Sequence, residues 1–144
     1  MVVRRAFTIV ELVVVVLILG ILAAVAAPKL FEANRRTREN ATRQSLRVFR
    51  DAVERWHAEK GKFPAGVLGV IQLRASFRTG QLPQCTVGDG NPSSVHNVND
   101  GLPLSGTGNT ETSGKPMWKY DSTTGEVIIN YHGLSLTGEY YDEW

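Results

Sequence analysis

Hydrophobic residues are concentrated in one stretch near the start of the chain. From Phe7 to Ala27, only Thr8, Glu11 and Gly20 fall outside the hydrophobic set. As a helix this stretch would extend about 31 Å, which matches the hydrocarbon thickness of a bilayer. The pattern therefore predicts a helix that inserts into a membrane.

Beyond Pro28 the pattern becomes that of an amphipathic helix. No glycine or proline interrupts residues 29–60, and hydrophobic residues recur there at helical spacing. Together with the apolar stretch, this pattern predicts one helix of about 54 residues and about 80 Å. The helix is expected to end at Gly61, since glycine and the following Pro64 are typical helix-end residues. The stripe that we expect to pack onto a sheet consists of Leu46, Phe49, Val53 and Trp56, with Ala52 beside them.

Residues 61–144 predict a small globular region of loops and strands. Residues 67–77 fit either a short helix or an irregular buried segment, because their hydrophobic period is ambiguous. Residues 79–116 are rich in glycine, proline, serine, threonine and asparagine, which favours a long loop region with room for one short strand.

The end of the chain carries the clearest strand signals. Met117–Tyr120 and Glu126–Tyr131 predict a hairpin whose turn uses Gly125 in the left-handed conformation, and a further strand is expected over Leu134–Tyr141. The predicted fold is α+β, with the amphipathic half of a long helix packed on about three antiparallel strands. Its segments are 1–6 as a leader, 7–28 as the apolar half of the helix, 29–60 as the amphipathic half, and 61–144 as the globular region.

Charge is distributed unevenly along the chain. Residues 29–62 carry ten Lys/Arg and five Asp/Glu, whereas residues 63–144 carry four and eight. We expect these opposite charges to complement one another between copies, so nucleic acid is not predicted as a partner. Within the helix, pairs at i,i+4 with the acid first are predicted for Glu32/Arg36, Glu39/Arg43 and Asp51/Arg55.

The chain offers little catalytic chemistry. Cys85 is the single cysteine, and neither it nor the three histidines show metal-ligand spacing. We expect Cys85 to be a free thiol or an intermolecular contact, and the protein not to be an enzyme. No cofactor is predicted. Calcium is the one metal left open, although the alternating acids of a calcium loop are absent around Asp89, Asp100 and Asp121.

Glu11 distinguishes three interpretations of the apolar stretch. A secretory signal or a plain membrane anchor has no use for a carboxylate there, because a charge near the centre of a spanning helix costs roughly 2.5–3.5 kcal/mol. The third interpretation is a subunit whose leader ends at Ala6 and whose function uses the carboxylate. Because Glu11 lies one turn from Phe7, it could also reach the membrane interface without any function.

The order of these residues resembles a known family. Arg4-Arg5-Ala6, then Phe7-Thr8-Ile9-Val10-Glu11-Leu12, then an apolar run to Pro28 is similar to the class III leader and first helix of type IV pilins and type II secretion pseudopilins. The resemblance implies that prepilin peptidase cuts between Ala6 and Phe7 and methylates the new amine. The residue before the cut is usually glycine in the family and is alanine here.

The resemblance also implies a role for Glu11 in assembly. In such filaments the new amine of Phe7 is buried, and a carboxylate four residues along the same helix cannot easily neutralise it. We expect Glu11 to pair instead with the Phe7 amine of an axially displaced neighbour. Gly20 and Pro28 either end or bend the membrane span, or they mark a stretch that unwinds during assembly.

The predicted function is therefore that of a structural subunit of a type IV pilus or type II secretion pseudopilus. Its implied partners are further copies of itself, prepilin peptidase, an inner-membrane assembly platform, a separate assembly ATPase, other minor pilins and membrane lipid. Arg4 and Arg5 keep the start of the chain cytoplasmic, so the globular region is expected outside the inner membrane, in the periplasm or on a surface filament. The alternatives are a minor or tip subunit that binds a ligand or DNA, and a secreted monomer released by signal peptidase.

Overall fold

The computed structural model describes residues 7–106 and 114–144. Its elements are α1 (Ile9–Lys60), α2 (Gly66–Ala75), β1 (Asn91–Val98), β2 (Pro116–Asp121), β3 (Val127–Ile129) and a short 3₁₀ helix (Tyr141–Glu143). One long helix followed by a small sheet is the α+β, pilin-like layout that the sequence predicted, so the fold class is confirmed.

The long helix forms as one element of 52 residues. It ends where the sequence predicted, because Gly61 adopts the left-handed conformation at φ 67° and its amide donates to the carbonyl of His57 over 2.8 Å. Residues 67–77, whose period was ambiguous, fold largely as the helix α2. The chain divides into two compact units, the first extending through Arg36 and the second comprising Thr37–Trp144.

The sheet has three strands in the order β1-β2-β3. β2 and β3 pair antiparallel as the predicted hairpin, with Trp118 opposite Ile129. Gly125 supplies the left-handed turn position at φ 80°, as predicted. The loop region contributes one strand, β1, and this strand pairs parallel to β2. The sheet is therefore mixed, whereas the sequence predicted antiparallel pairing throughout.

The strand expected over Leu134–Tyr141 is wrong. Those residues form only an isolated antiparallel bridge between Leu134 and Tyr140, and the 3₁₀ helix begins at Tyr141. The physical reason is a local turn. The amide of Ser135 donates to the carbonyl of Glu139, and the amide of Gly138 donates to the carbonyl of Ser135. The segment bonds to itself and so does not extend the sheet.

The core lies between the second half of α1 and the sheet. Leu46, Phe49 and Val53 are buried, while Trp56 and Ala52 are partly buried against the same cluster. The ring of Phe49 meets that of Trp118 edge-on, with centroids 5.6 Å apart. Burial of these side chains supplies the main favourable term for folding of the second unit. The other buried residues of this core are Leu73, Leu82, Cys85, Val87, Met117, Tyr120, Val127, Ile129 and Tyr141.

Candidate functional site

Reciprocal hydrogen bonds between Thr8 and Glu11 cap the amino terminus of α1. The Glu11 amide donates to the Thr8 hydroxyl oxygen over 3.2 Å. In return, the Thr8 amide and hydroxyl both donate to Oε2 of Glu11 over 2.8 Å. This is a capping box, which satisfies helix-terminal amides that would otherwise lack partners. The sequence signal for this cap is the Thr-x-x-Glu spacing of residues 8–11.

The capping box fixes the position of the Glu11 carboxylate. The sequence predicted that this carboxylate cannot easily neutralise the amine that cleavage leaves on its own Phe7. In the structure the carboxylate accepts a hydrogen bond from the backbone amide of Thr8, one residue after Phe7. Glu11 is therefore oriented toward the end of the helix where cleavage before Phe7 would create an amine.

The apolar half of α1 is exposed on all sides. Every described residue from Phe7 through Arg36 is exposed, and Phe7 itself is 76% exposed. By length and composition, this part of α1 could cross a membrane, and none of its apolar window is buried inside the protein. A helix that is hydrophobic all round requires lipid or other apolar helices as its surroundings. Among the exposed side chains are Ile9, Leu12, Val16, Leu19 and Leu22.

The other residues singled out by the sequence in this half lie within the same helix. Gly20 and Pro28 are both internal to α1, which continues without interruption through them. A methyl group added at Gly20 would meet no atom within 4 Å, so the glycine leaves an open notch on the helix surface. Ala6, the residue predicted to precede the cleavage, lies outside the described residues.

The second half of α1 carries charged residues whose partners the sequence did not reveal. Nη2 of Arg50 donates to the carbonyl oxygens of Val127 at 2.9 Å and of Trp144 at 2.7 Å, and its Nε also donates to Val127. Burial lowers the pKa of Arg50 from its ordinary value. The one sequence feature that indicates burial of Arg50 is its position beside Phe49 in the hydrophobic stripe.

One of the predicted helical ion pairs, between Glu32 and Arg36, is confirmed. Nη2 of Arg36 lies 2.6 Å from Oε1 of Glu32, as the i,i+4 spacing predicted. Arg43 donates over 2.7 Å to Glu139, far along the chain, and its guanidinium stacks 3.8 Å from the centre of the Trp144 ring. The hydrogen bond from Arg43 holds the pKa of Glu139 below its ordinary value.

Cys85 is a buried free thiol, 2% exposed. Burial raises its pKa to about 12, so the nucleophilic thiolate is scarce at neutral pH. This environment suits a packing residue better than an intermolecular contact. Among residues 7–106 and 114–144, no group of three or more His, Cys, Asp or Glu side chains is placed to hold a metal ion.

Comparison with known proteins identifies the amino-terminal motif. Residues 1–27 match the prokaryotic N-terminal methylation motif. This is the class III prepilin leader, the signature of type IV pilins and pseudopilins, and it marks the chain as a precursor of the type that prepilin peptidase processes. The leader followed by an apolar helix also fits anchoring in a membrane. No curated protein and no solved structure gave a significant match to the chain.

Proposed function

We propose that this chain is a structural subunit that prepilin peptidase cuts between Ala6 and Phe7 and that then polymerises into a type IV pilus or a type II secretion pseudopilus. One observation carries the proposal. The methylation motif opens a helix whose apolar side chains are exposed on every face, from Phe7 at 76% to Val25 at 61%. Before assembly lipid covers this surface, and in a filament the same surface of other copies replaces it.

The size of this apolar surface supports the proposed polymerisation. Monomeric soluble proteins rarely expose a contiguous apolar patch larger than a few hundred Å². A subunit leaving the membrane must therefore exchange lipid for other apolar surface at once. Identical helices packed side by side offer such surface without any contact with water.

Glu11 fixes the stagger between the packed helices. Its carboxylate already points back to the first turn through Thr8. The Phe7 amine of an axially displaced neighbour could replace these bonds, with an attraction of roughly 4 kcal/mol at about 4 Å and an effective dielectric near 20, before desolvation is subtracted. Any other stagger leaves two charges in apolar surroundings, so the pair selects one register.

This function needs other proteins and no catalysis by the chain itself. The partners are an inner-membrane assembly platform, a separate ATPase that supplies the energy, and other minor pilins. The globular unit lies on the extracytoplasmic side of the inner membrane and later in the filament. The role is structural rather than enzymatic.

Substitution of Glu11 tests the proposal. The Glu11→Gln variant keeps a carbonyl oxygen that can accept from the Thr8 amide, but it lacks the negative charge. If the charge sets register, each subunit adds at least about tenfold more weakly in both Glu11→Gln and Glu11→Ala, which corresponds to about 1.4 kcal/mol per added subunit. Filament yield then falls while the membrane-bound amount stays unchanged. Filaments are counted in electron micrographs of cells overexpressing each variant.

A matched control removes a carboxylate from the exposed, water-facing part of the same helix. Glu54→Ala should assemble like the wild type. Normal filament yield from Glu11→Gln, with loss only in Glu11→Ala, would assign Glu11 to helix capping alone and contradict the register role. Amino-terminal sequencing adds an independent check. N-methyl-Phe7 supports the proposed function, whereas a start at Ala27 or Pro28 supports a secreted monomer released by signal peptidase.

A further inference from the structure

Three basic side chains follow the apolar span directly. Lys29, Arg35 and Arg36 are exposed on α1, and Glu32 is the single acid among residues 29–36, so this segment has a net charge of +2. We call residues 29–36 the basic collar. It lies entirely within the first compact unit. Neither the capping box nor the apolar surface accounts for it.

The helix geometry directs these side chains toward the membrane. Side chains on an α-helix tilt toward its amino terminus, which here is the end in the lipid. Lys29 comes one residue after Pro28, and Arg36 lies only about 12 Å beyond Pro28 along the helix. The headgroup layer of each leaflet is about 5–7 Å thick, and charges act over about 8 Å beyond it at physiological salt. All three cations therefore lie within reach of lipid phosphates.

The collar also contains a shallow concavity. Lys29, Glu32, Ala33 and Arg36 line a space of about 230 Å³. Glu32 holds the Arg36 guanidinium at 2.6 Å, with the Lys29 ammonium on the same side of the helix. A guanidinium presents a planar fork of donors that matches phosphate oxygens, and an ammonium adds a point charge.

We propose that the basic collar binds the anionic headgroups of phospholipids in the leaflet that adjoins Pro28. This binding holds the unassembled subunit at a fixed depth. It is favoured over nucleic acid because the cations begin one residue after the span, where lipid phosphate is always present. The inference rests on the membrane insertion in the proposed function, but not on polymerisation.

The test measures which lipid stays with the protein. The full chain is purified in mild detergent, mixed with equal amounts of phosphatidylglycerol and phosphatidylcholine, and repurified, and the copurifying lipids are quantified by mass spectrometry. We expect phosphatidylglycerol to be enriched at least about fivefold, since one basic residue near an anionic surface contributes about that factor. Raising salt from about 50 mM to about 500 mM should reduce the enrichment.

Two triple variants with the same change in charge separate the collar from the rest of the helix. Lys29→Gln/Arg35→Gln/Arg36→Gln should bring the enrichment close to one. Arg47→Gln/Arg55→Gln/Lys60→Gln, at exposed positions further along α1, should leave it unchanged. Glutamine is a good helix former, so circular dichroism should show equal helix content in both.

Three results would overturn the proposal. The first is equal phosphatidylglycerol enrichment in the wild type and the collar variant. The second is an equal loss of that enrichment in the collar variant and the control variant. The third is a DNA oligonucleotide that the wild type binds and the collar variant does not. A chain that fails to float with lipid vesicles would instead contradict membrane insertion, and with it the proposed function. Filament counts are independent of all these measurements.

Discussion

Glu39 is a buried acid on a helix that mostly faces solvent. It is 7% exposed, and its Oε1 accepts hydrogen bonds from the Tyr141 hydroxyl at 2.8 Å and the Leu136 amide at 3.0 Å. These donors lie 102 and 97 residues further along the chain. Helical spacing could suggest only partners within one turn of α1, such as the predicted Arg43. The carboxylate in fact connects α1 to the segment that replaced the expected last strand.

Removing this acceptor should destabilise the second unit. Glu39→Ala leaves the Tyr141 hydroxyl and the Leu136 amide without this carboxylate, and we expect a loss of about 1–3 kcal/mol in the free energy of unfolding. Glu39→Gln should lose less, because its carbonyl oxygen still accepts. The measurement is urea unfolding of the full chain in detergent, followed by tryptophan fluorescence, since Trp118 is buried.

The matched control for Glu39 is Glu32→Ala on the same helix. Glu32 forms an exposed pair with Arg36, so its removal should change stability by about 0–1 kcal/mol. Equal losses from Glu39→Ala and Glu32→Ala would show that the buried hydrogen bonds contribute nothing specific.

At the scale of elements, the hairpin turn packs on the end of the long helix. Gly125 combines a φ of 80° with close contact, because a Cβ at this position would collide with the ring of Phe63. The Phe63 ring is in turn stacked on His57, with centroids 4.2 Å apart. The hairpin between β2 and β3 is therefore fixed against residues just after α1, which orients the sheet on the helix.

Gly125→Ala should be more destabilising than the same change at another left-handed glycine. Gly138 has a φ of 84° but open space around its missing Cβ. Both substitutions carry a conformational cost of about 1–2 kcal/mol, while Gly125→Ala adds about 1–3 kcal/mol because Phe63 must move. The two free energies of unfolding, measured by urea denaturation, give the difference. Equal losses in the free energy of unfolding would mean that the Phe63 ring moves aside without a measurable cost.

At the scale of the whole molecule, the two compact units differ in what covers their apolar side chains. The described hydrophobic core, from Leu46 to Tyr141, belongs entirely to the unit Thr37–Trp144. The described part of the first unit is exposed helix, which requires lipid or other apolar helices as its surroundings. Folding and the proposed assembly therefore belong to different parts of the same chain.

A fragment that begins at Thr37 should fold by itself. We expect residues 37–144 to be monomeric in gel filtration without detergent, to keep the near-ultraviolet circular dichroism of the full chain, and to form no filaments. Stability should agree with that of the full chain in detergent within about 1 kcal/mol, because no described core residue is removed. An unfolded or aggregating fragment would show that the first 36 residues contribute to the core after all.

The amino-acid sequence by itself determined the features that depend on local order. The long helix, its apolar and amphipathic halves, its end at Gly61, the hairpin and the prepilin leader all follow from residue period, turn chemistry or a contiguous motif. Such signals lie within a few residues of one another, so they can be read without knowing what the chain packs against.

Only the tertiary structure decided the features that join distant residues. β1 could have paired with β2 in either direction, because the period of a strand is the same in parallel and antiparallel pairs. Residues 134–141 have strand-like composition but form hydrogen bonds within their own turn and with Glu39. Arg50 found carbonyl partners 77 and 94 residues away. Each choice depends on which groups folding brings within about 3 Å, and that information is absent from sequence spacing.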